Sequence, residues 1–187
     1  MDAIMVTLVA VLLANADGRS GGFLARLLGT RADRRAVVAV ALGSFVVNAL
    51  VAALLGTIAN RMIGQGIVAL LVAFALVTAA AALLWHGRLM PADEPAVAAP
   101  LPLLAARMLL VQIGDRSHFL IGALAATSGA GLWAAAGGTI GWVFAALPFL
   151  AFGPELAAWP AARVLRWTSA GILLLWGIRS GLTAFGL

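Results

Sequence analysis

The chain has no cysteine, so disulfides and thiolate metal sites are excluded, and the redox compartment is left open. It also has no lysine: all 12 basic residues are arginine, set against 7 acids for a net charge of +5. Such an excess invites a nucleic-acid interpretation, but no basic stripe is interleaved with aromatics on a polar surface, as that function requires. Charge of either sign is scarce, at 10% of 187 residues. No basic n-region precedes the first apolar run and no small-residue cleavage signal follows it, so that run reads as a retained span and not a leader. Apolar residues are what the chain has in excess: 64% are hydrophobic and the mean hydropathy is +1.08. Soluble proteins lie far from these values, and the expected solvent is a bilayer.

A helix needs roughly 20 mostly apolar residues to cross the hydrocarbon. Residues 36–58, 66–85 and 132–152 meet that need without a charge, and residues 167–187 are interrupted only by Arg179, which lies near enough to the end to snorkel. Residues 3–28 and 101–128 are also long enough, but carry Asp17 and Arg19 in one case and Asp115, Arg116 and His118 in the other. The expectation is an all-α polytopic membrane protein of six transmembrane helices. Residues 86–102 hold Pro91, Pro95, Pro100 and Pro102 with Asp93 and Glu94, so they read as an extended linker between a first three-helix half, 1–85, and a second, 103–187. His86, beside Trp85, is expected at the membrane edge, and Trp133, Trp142, Trp159, Trp167 and Trp176 in interfacial belts and packing.

The halves show a weak repeat. Asn15-Ala-Asp-Gly-Arg19-Ser20 and Gln112-Ile-Gly-Asp-Arg116-Ser117 lie 97 residues apart, and the same offset lays residues 36–58 on 133–155 and 66–85 on 163–182. Arginines cluster after span one (Arg26, Arg31, Arg34, Arg35), around the linker (Arg88, Arg107) and before span six (Arg163, Arg166), whereas Arg61 alone follows span two. Positive-inside logic then puts the loops after spans one, three and five in the cytoplasm and both termini in the periplasm of a bacterial inner membrane. Halves with an odd number of spans enter the membrane in opposite directions, which gives the 3+3 inverted repeat common in secondary transporters.

A charge at mid-bilayer costs about 2.5 to 3.5 kcal/mol on insertion scales, so two intramembrane carboxylates, each beside an arginine and a serine, call for a reason. One reason is structural, an ion pair of Asp17 with Arg116 or of Asp115 with Arg19. The other is a cation site, in which carboxylate, amide and hydroxyl oxygens from two helices form a hard-ligand cage. Gly18, Gly21, Gly22 and Gly114 suit either, since small residues let spans approach closely or let backbone unwind and offer carbonyls.

The motif pair resembles that of the transmembrane protein 165 (Gdt-type) cation/proton antiporters, also called uncharacterised protein family 0016. Their hallmark is two copies of Glu-x-Gly-Asp-Lys/Arg-Ser/Thr, one at the start of each three-helix half. Gln112-Ile-Gly-Asp115-Arg116-Ser117 matches at five of six places. The resemblance implies export of manganese or calcium in exchange for protons, with the motif acids as ligands and proton acceptors. On the positions present here the ligands would be Asp17 and Asp115, helped by Asn15, Gln112, Ser20 and Ser117; no prosthetic group is implied. This chain departs from the pattern in two ways. Amides, Asn15 and Gln112, replace both glutamates, and the first copy reads Asp17-Gly18 where the family has Gly-Asp. Gln112 and Asp115 share a helix face, whereas Asn15 and Asp17 diverge by roughly 200° on a regular helix. An alternative register treats Gly18 as an inserted residue absorbed by local unwinding. Two motif carboxylates stand where the family has four, so weakened activity is expected. His118, where the family usually has glutamine, is a further metal or proton ligand, or else a neutral interhelical hydrogen-bond donor.

Other functions stay open at this point. The chain fits an exporter of a small polar metabolite or amino acid, with Arg19 and Arg116 gripping a carboxylate, or a non-transporting partner of an intact paralogue. Enzymatic activity is not expected, because no nucleophile, base and orienting group occur together. The expected partners are a divalent metal ion, the lipid bilayer and further copies of the chain.

Overall fold

The computed structural model describes residues 2–85 and 99–186. Residues 86–98, which include His86 and most of the expected linker, lie outside the described residues. The described residues form eight α-helices: α1 (Asp2–Ala14), α2 (Arg19–Thr30), α3 (Arg34–Met62), α4 (Gln65–Leu84), α5 (Leu101–Gln112), α6 (Arg116–Ser128), α7 (Gly131–Phe152) and α8 (Pro160–Ala184), with a 3-10 turn at Pro154–Ala158. The all-helical expectation holds.

Three helices, α3, α4 and α7, are long and apolar enough to cross a membrane by themselves. The expected first span is two helices: α1 and α2 together are apolar enough for one crossing but bend by 70° at their break. The expected fourth span is likewise divided, into α5 of 12 residues and α6 of 13. At 25 residues α8 has the length of a span, but Arg163, Arg166 and Arg179 leave it less apolar than the other three. Large apolar side chains face outward on these helices, among them Leu54 and Phe74 at 61% exposure and Leu175 at 70%. Water would penalise apolar patches of this extent, whereas lipid tails would not. Length, hydropathy and outward apolar faces are together the make-up of a membrane protein.

Packing runs mainly between the halves. α1 and α2 pack on α7, α5 and α6 pack on α3, and α4 lies along α8. Exchanging the halves leaves this set of contacts unchanged. The helix starts follow the same relation, since Arg19 and Arg116 open helices 97 residues apart, as do Arg34 and Gly131. Glycines close each of the three contacts. A Cβ on Gly137 or Gly141 of α7 would collide with the Ile4 or Leu8 carbonyl of α1, one on Gly56 of α3 with the Gly122 carbonyl of α6, and one on Gly177 of α8 would crowd Val77 of α4. Apolar side chains have little reason to prefer a neighbouring helix to lipid, so close approach of backbones is what such packing exploits. Outside the helices, Arg31 makes a bidentate pair with Asp33 at 2.8 Å and donates to the Ala99 carbonyl at 2.7 Å, tying the α2–α3 turn to the segment that leads into α5.

Candidate functional site

Each motif copy falls at a helix break, and a glycine makes each break. Gly18 has φ +69° and Gly114 φ +89°, a left-handed conformation that costs an L side chain roughly 1–2 kcal/mol and glycine nothing. Because Arg19 and Arg116 restart the helices in equal register, Gly18 stands opposite Asp115 in the repeat and Asp17 opposite Gly114. The swapped Asp-Gly order therefore needs no inserted residue: the left-handed residue and the acid have traded places, and the two acids leave the backbone in different settings. Gly18 is under a second constraint, since a Cβ there would overlap the Phe149 ring.

The first break is closed by its own polar groups. Asn15, 3% exposed, uses Nδ2 to donate to the Val11 carbonyl at 2.8 Å and to Ser117 Oγ at 2.9 Å, while its Oδ1 accepts from Ser20 Oγ at 3.1 Å. Its amide is thus fully used. Asp17 Oδ1 accepts from Arg116 Nη2 at 2.5 Å and from the Arg19 backbone N–H at 3.3 Å. Both members of the Asp17–Arg116 pair are largely removed from solvent, at 2% and 13% side-chain exposure. Of the two structural ion pairs the sequence allows, this one forms, and no pair between Asp115 and Arg19 occurs among the described residues.

The second break is left open. Asp115 precedes the α6 N-terminus without capping it and is half-buried. Gln112 Oε1 and His118 Nδ1 are both buried with no hydrogen-bond partner. His118 Nε2 lies 3.4 Å from the Phe45 carbonyl, and in the neutral tautomer that donates there Nδ1 is the acceptor; the Gln112 backbone also neighbours the ring. The imidazole packs on Phe45 at 4.5 Å between centroids, and Phe45 stacks on Trp142 at 4.7 Å, which fixes the ring between α3, α6 and α7. Asn48 of α3 donates to the Leu109 carbonyl of α5 at 3.1 Å, one turn before Gln112.

The structure thus joins Asn15, Ser20 and Ser117 by hydrogen bonds and ties Asp17 to Arg116. Gln112, Asp115 and His118 belong to the second copy, and among the described residues no hydrogen bond or ion pair links Asp115 to Asp17. Among the described residues no group of three or more His, Asp or Glu side chains could hold a metal ion, so any cation would draw part of its ligand set from amide, hydroxyl or backbone oxygens. Sequence reasoning missed Phe45, an ordinary apolar residue of α3 whose carbonyl and ring position His118. It also assigned Arg163 and Arg166 to a loop. They lie on α8 and, with Asp17, Ala16, Ala157, Ala158 and Ala162, line a cleft of about 400 Å³.

Against known proteins, no family model, curated protein or solved structure matches the chain. The likeness to the cation/proton antiporters therefore rests on the motif residues and their placement.

Proposed function

We propose that the chain is a secondary transporter whose solute site is formed where the two broken helices meet, and that it exports a divalent cation, manganese or calcium, in exchange for protons. The observation that carries transport is the pairing of two helix breaks across the half-to-half interface through Asn15–Ser117 and Asp17–Arg116. Breaks in a spanning helix are tolerated where the freed backbone lines a cavity or is buried in protein, and transporters place solute sites there. The exchange-symmetric packing supports six crossings arranged as a 3+3 inverted repeat, which requires α5 with α6 and α8 to cross despite their polarity. Both termini then face the periplasm of a bacterial inner membrane.

Cation chemistry is supported at the second break. Gln112 Oε1, His118 Nδ1 and the Asp115 carboxylate are acceptors on the two sides of the Gly114 break, and two of them are buried without a donor. A hard or borderline dication satisfies such a set, and Asp115 and His118 supply proton acceptors for exchange. Asp17 contributes less charge to an ion, because Arg116 already neutralises it. Export of a carboxylate-bearing metabolite is less well supported, since Arg116 is committed to Asp17 and Arg19 is exposed.

Everted vesicles carrying the protein and a pH-sensitive dye test this, with manganese, calcium, magnesium and zinc added in turn. Manganese- or calcium-dependent proton movement is expected. Silence with all four ions would contradict it and favour a metabolite exporter or a non-transporting partner of a paralogue.

A further inference from the structure

The cleft beside Asp17 has a charge imbalance that cation transport does not use. Its charged lining residues are Asp17, Arg163 and Arg166. Asp17 is compensated by Arg116. Neither Arg163 nor Arg166 has an ion-pair partner among the described residues, Glu155 on the adjacent turn included. Two positive charges are therefore left to whatever enters.

Arg163 and Arg166 are three residues apart on α8, so their guanidiniums leave the helix on one face. Arg166 Nε is buried and has no acceptor, although a buried donor loses its water without compensation unless something replaces it. Ala157, Ala158 and Ala162 make up much of the remaining wall. Their short side chains leave room, and Ala162 sits in the first turn of α8, where free backbone N–H groups and the positive end of the helix dipole favour an anion. The volume of about 400 Å³ suits a small ligand or a headgroup. Trp159 and Trp167, 51% and 56% exposed, flank the two arginines. Such aromatics mark the headgroup level of a bilayer, where phosphate is the abundant anion.

We propose that this cleft binds a phosphate group, with Arg166 and Arg163 as its ligands and the start of α8 as its cradle. The chemistry is common to a lipid phosphodiester at the membrane edge and to free phosphate from the aqueous side. Its ligands, Arg163 and Arg166, take no part in the proposed cation site, so this inference stands or falls without it.

Native mass spectrometry of the purified full chain tests the proposal, with phosphatidylglycerol, phosphate-free diacylglycerol and inorganic phosphate as probes. The parent is expected to retain phosphatidylglycerol over diacylglycerol or to bind inorganic phosphate. The Arg163→Gln/Arg166→Gln pair should weaken that binding by about tenfold or more, the scale of losing charge-assisted hydrogen bonds. Arg163→Lys/Arg166→Lys, which keeps the charge, should retain most of it. Arg163→Gln alone changes an exposed residue, which guards against loss of fold, and should give a smaller loss of the same kind. Displacement of phosphatidylglycerol by inorganic phosphate, or phosphate binding without lipid, assigns the free ion; retention of lipid against phosphate assigns the headgroup. Absence of both preferences in the parent, or equal binding by the glutamine pair, would overturn the site.

Discussion

The two helix breaks share a register and differ in how their polar groups are used. At the first, every hydrogen-bonding group of the Asn15 amide is engaged, and the Asp17 carboxylate is held by Arg116. At the second, Gln112 Oε1 and His118 Nδ1 are buried and unpartnered, and Asp115 has no ion pair among the described residues. Exchanging the order of one glycine and one aspartate accounts for much of this. With Gly18 taking the left-handed turn next to the helix start, Asp17 moves one residue back and meets the arginine of the other copy. With Gly114 taking it, Asp115 stays at the start of α6. One break has become a structural clasp, and the other keeps the ligands a solute would need.

The comparison breaks most readily at the ion pair. Removing one member of a buried pair strands the other charge, at a cost of about 3 to 5 kcal/mol. Asp17→Asn should therefore destabilise the detergent-solubilised protein by that order in denaturant unfolding. Asp115→Asn should cost less than about 1 kcal/mol, because Asp115 is half-buried and unpaired. Similar losses for the two variants would mean that the breaks are equivalent.

Glycine replacement gives the next effect. Gly114→Ala meets open space and bears only the left-handed penalty, about 1 to 2 kcal/mol. Gly18→Ala bears that penalty and also displaces the Phe149 ring, which adds about 1 to 3 kcal/mol of overpacking. Thermal unfolding of both variants beside the parent checks the order.

Amide removal is smaller and differs in sign. Asn15→Ala deprives Ser20 and Ser117 of their partner and should cost about 1 to 3 kcal/mol. Gln112→Leu removes a buried oxygen that has no partner and should leave stability unchanged or slightly higher, while it lowers ion exchange. A Gln112→Leu loss as large as that of Asn15→Ala would show that the second break is also closed.

The smallest effect lies outside both breaks. Hydrogen bonding to Arg31 holds the Asp33 carboxyl below the usual carboxylate range. A depressed carboxyl contributes stability above its unfolded value, about pH 4, and that contribution is lost as pH falls through the folded value. The difference in melting temperature between the parent and Asp33→Asn should be level from pH 7 to pH 5 and shrink only on the acid side of about pH 4.

Much of this arrangement is legible in sequence order, and the rest depends on packing. Long uncharged runs mark α3, α4 and α7, because a helix apolar on all sides suits lipid and not water, and the 97-residue offset anticipates where α2 and α6 begin. The breaks inside residues 3–28 and 101–128 were signalled by glycine beside a charge, but hydropathy averaged over a span passes across both. Asp17 and Arg116 were one of two possible pairings, and only the placement of α2 and α6 against α7 and α3 selects between them. Phe45 carries no sequence mark, since its role lies in a backbone carbonyl and a ring face. Arg163 and Arg166 looked like loop charges because α8 begins at Pro160, earlier than its apolar stretch.

Dication-dependent proton exchange in everted vesicles, compared among Gln112→Glu, Asn15→Glu and Asp115→Asn, tests most directly whether the second break is the ion site. Gln112→Glu adds a carboxylate at the end of α5, across the Gly114 break from Asp115, and should raise manganese- or calcium-driven exchange above the parent. Asn15→Glu should do less, since it replaces an amide already committed to Ser20, Ser117 and Val11. Asp115→Asn should abolish exchange. Equal gains from the two glutamates, or an Asp115→Asn variant as active as the parent, would contradict the assignment.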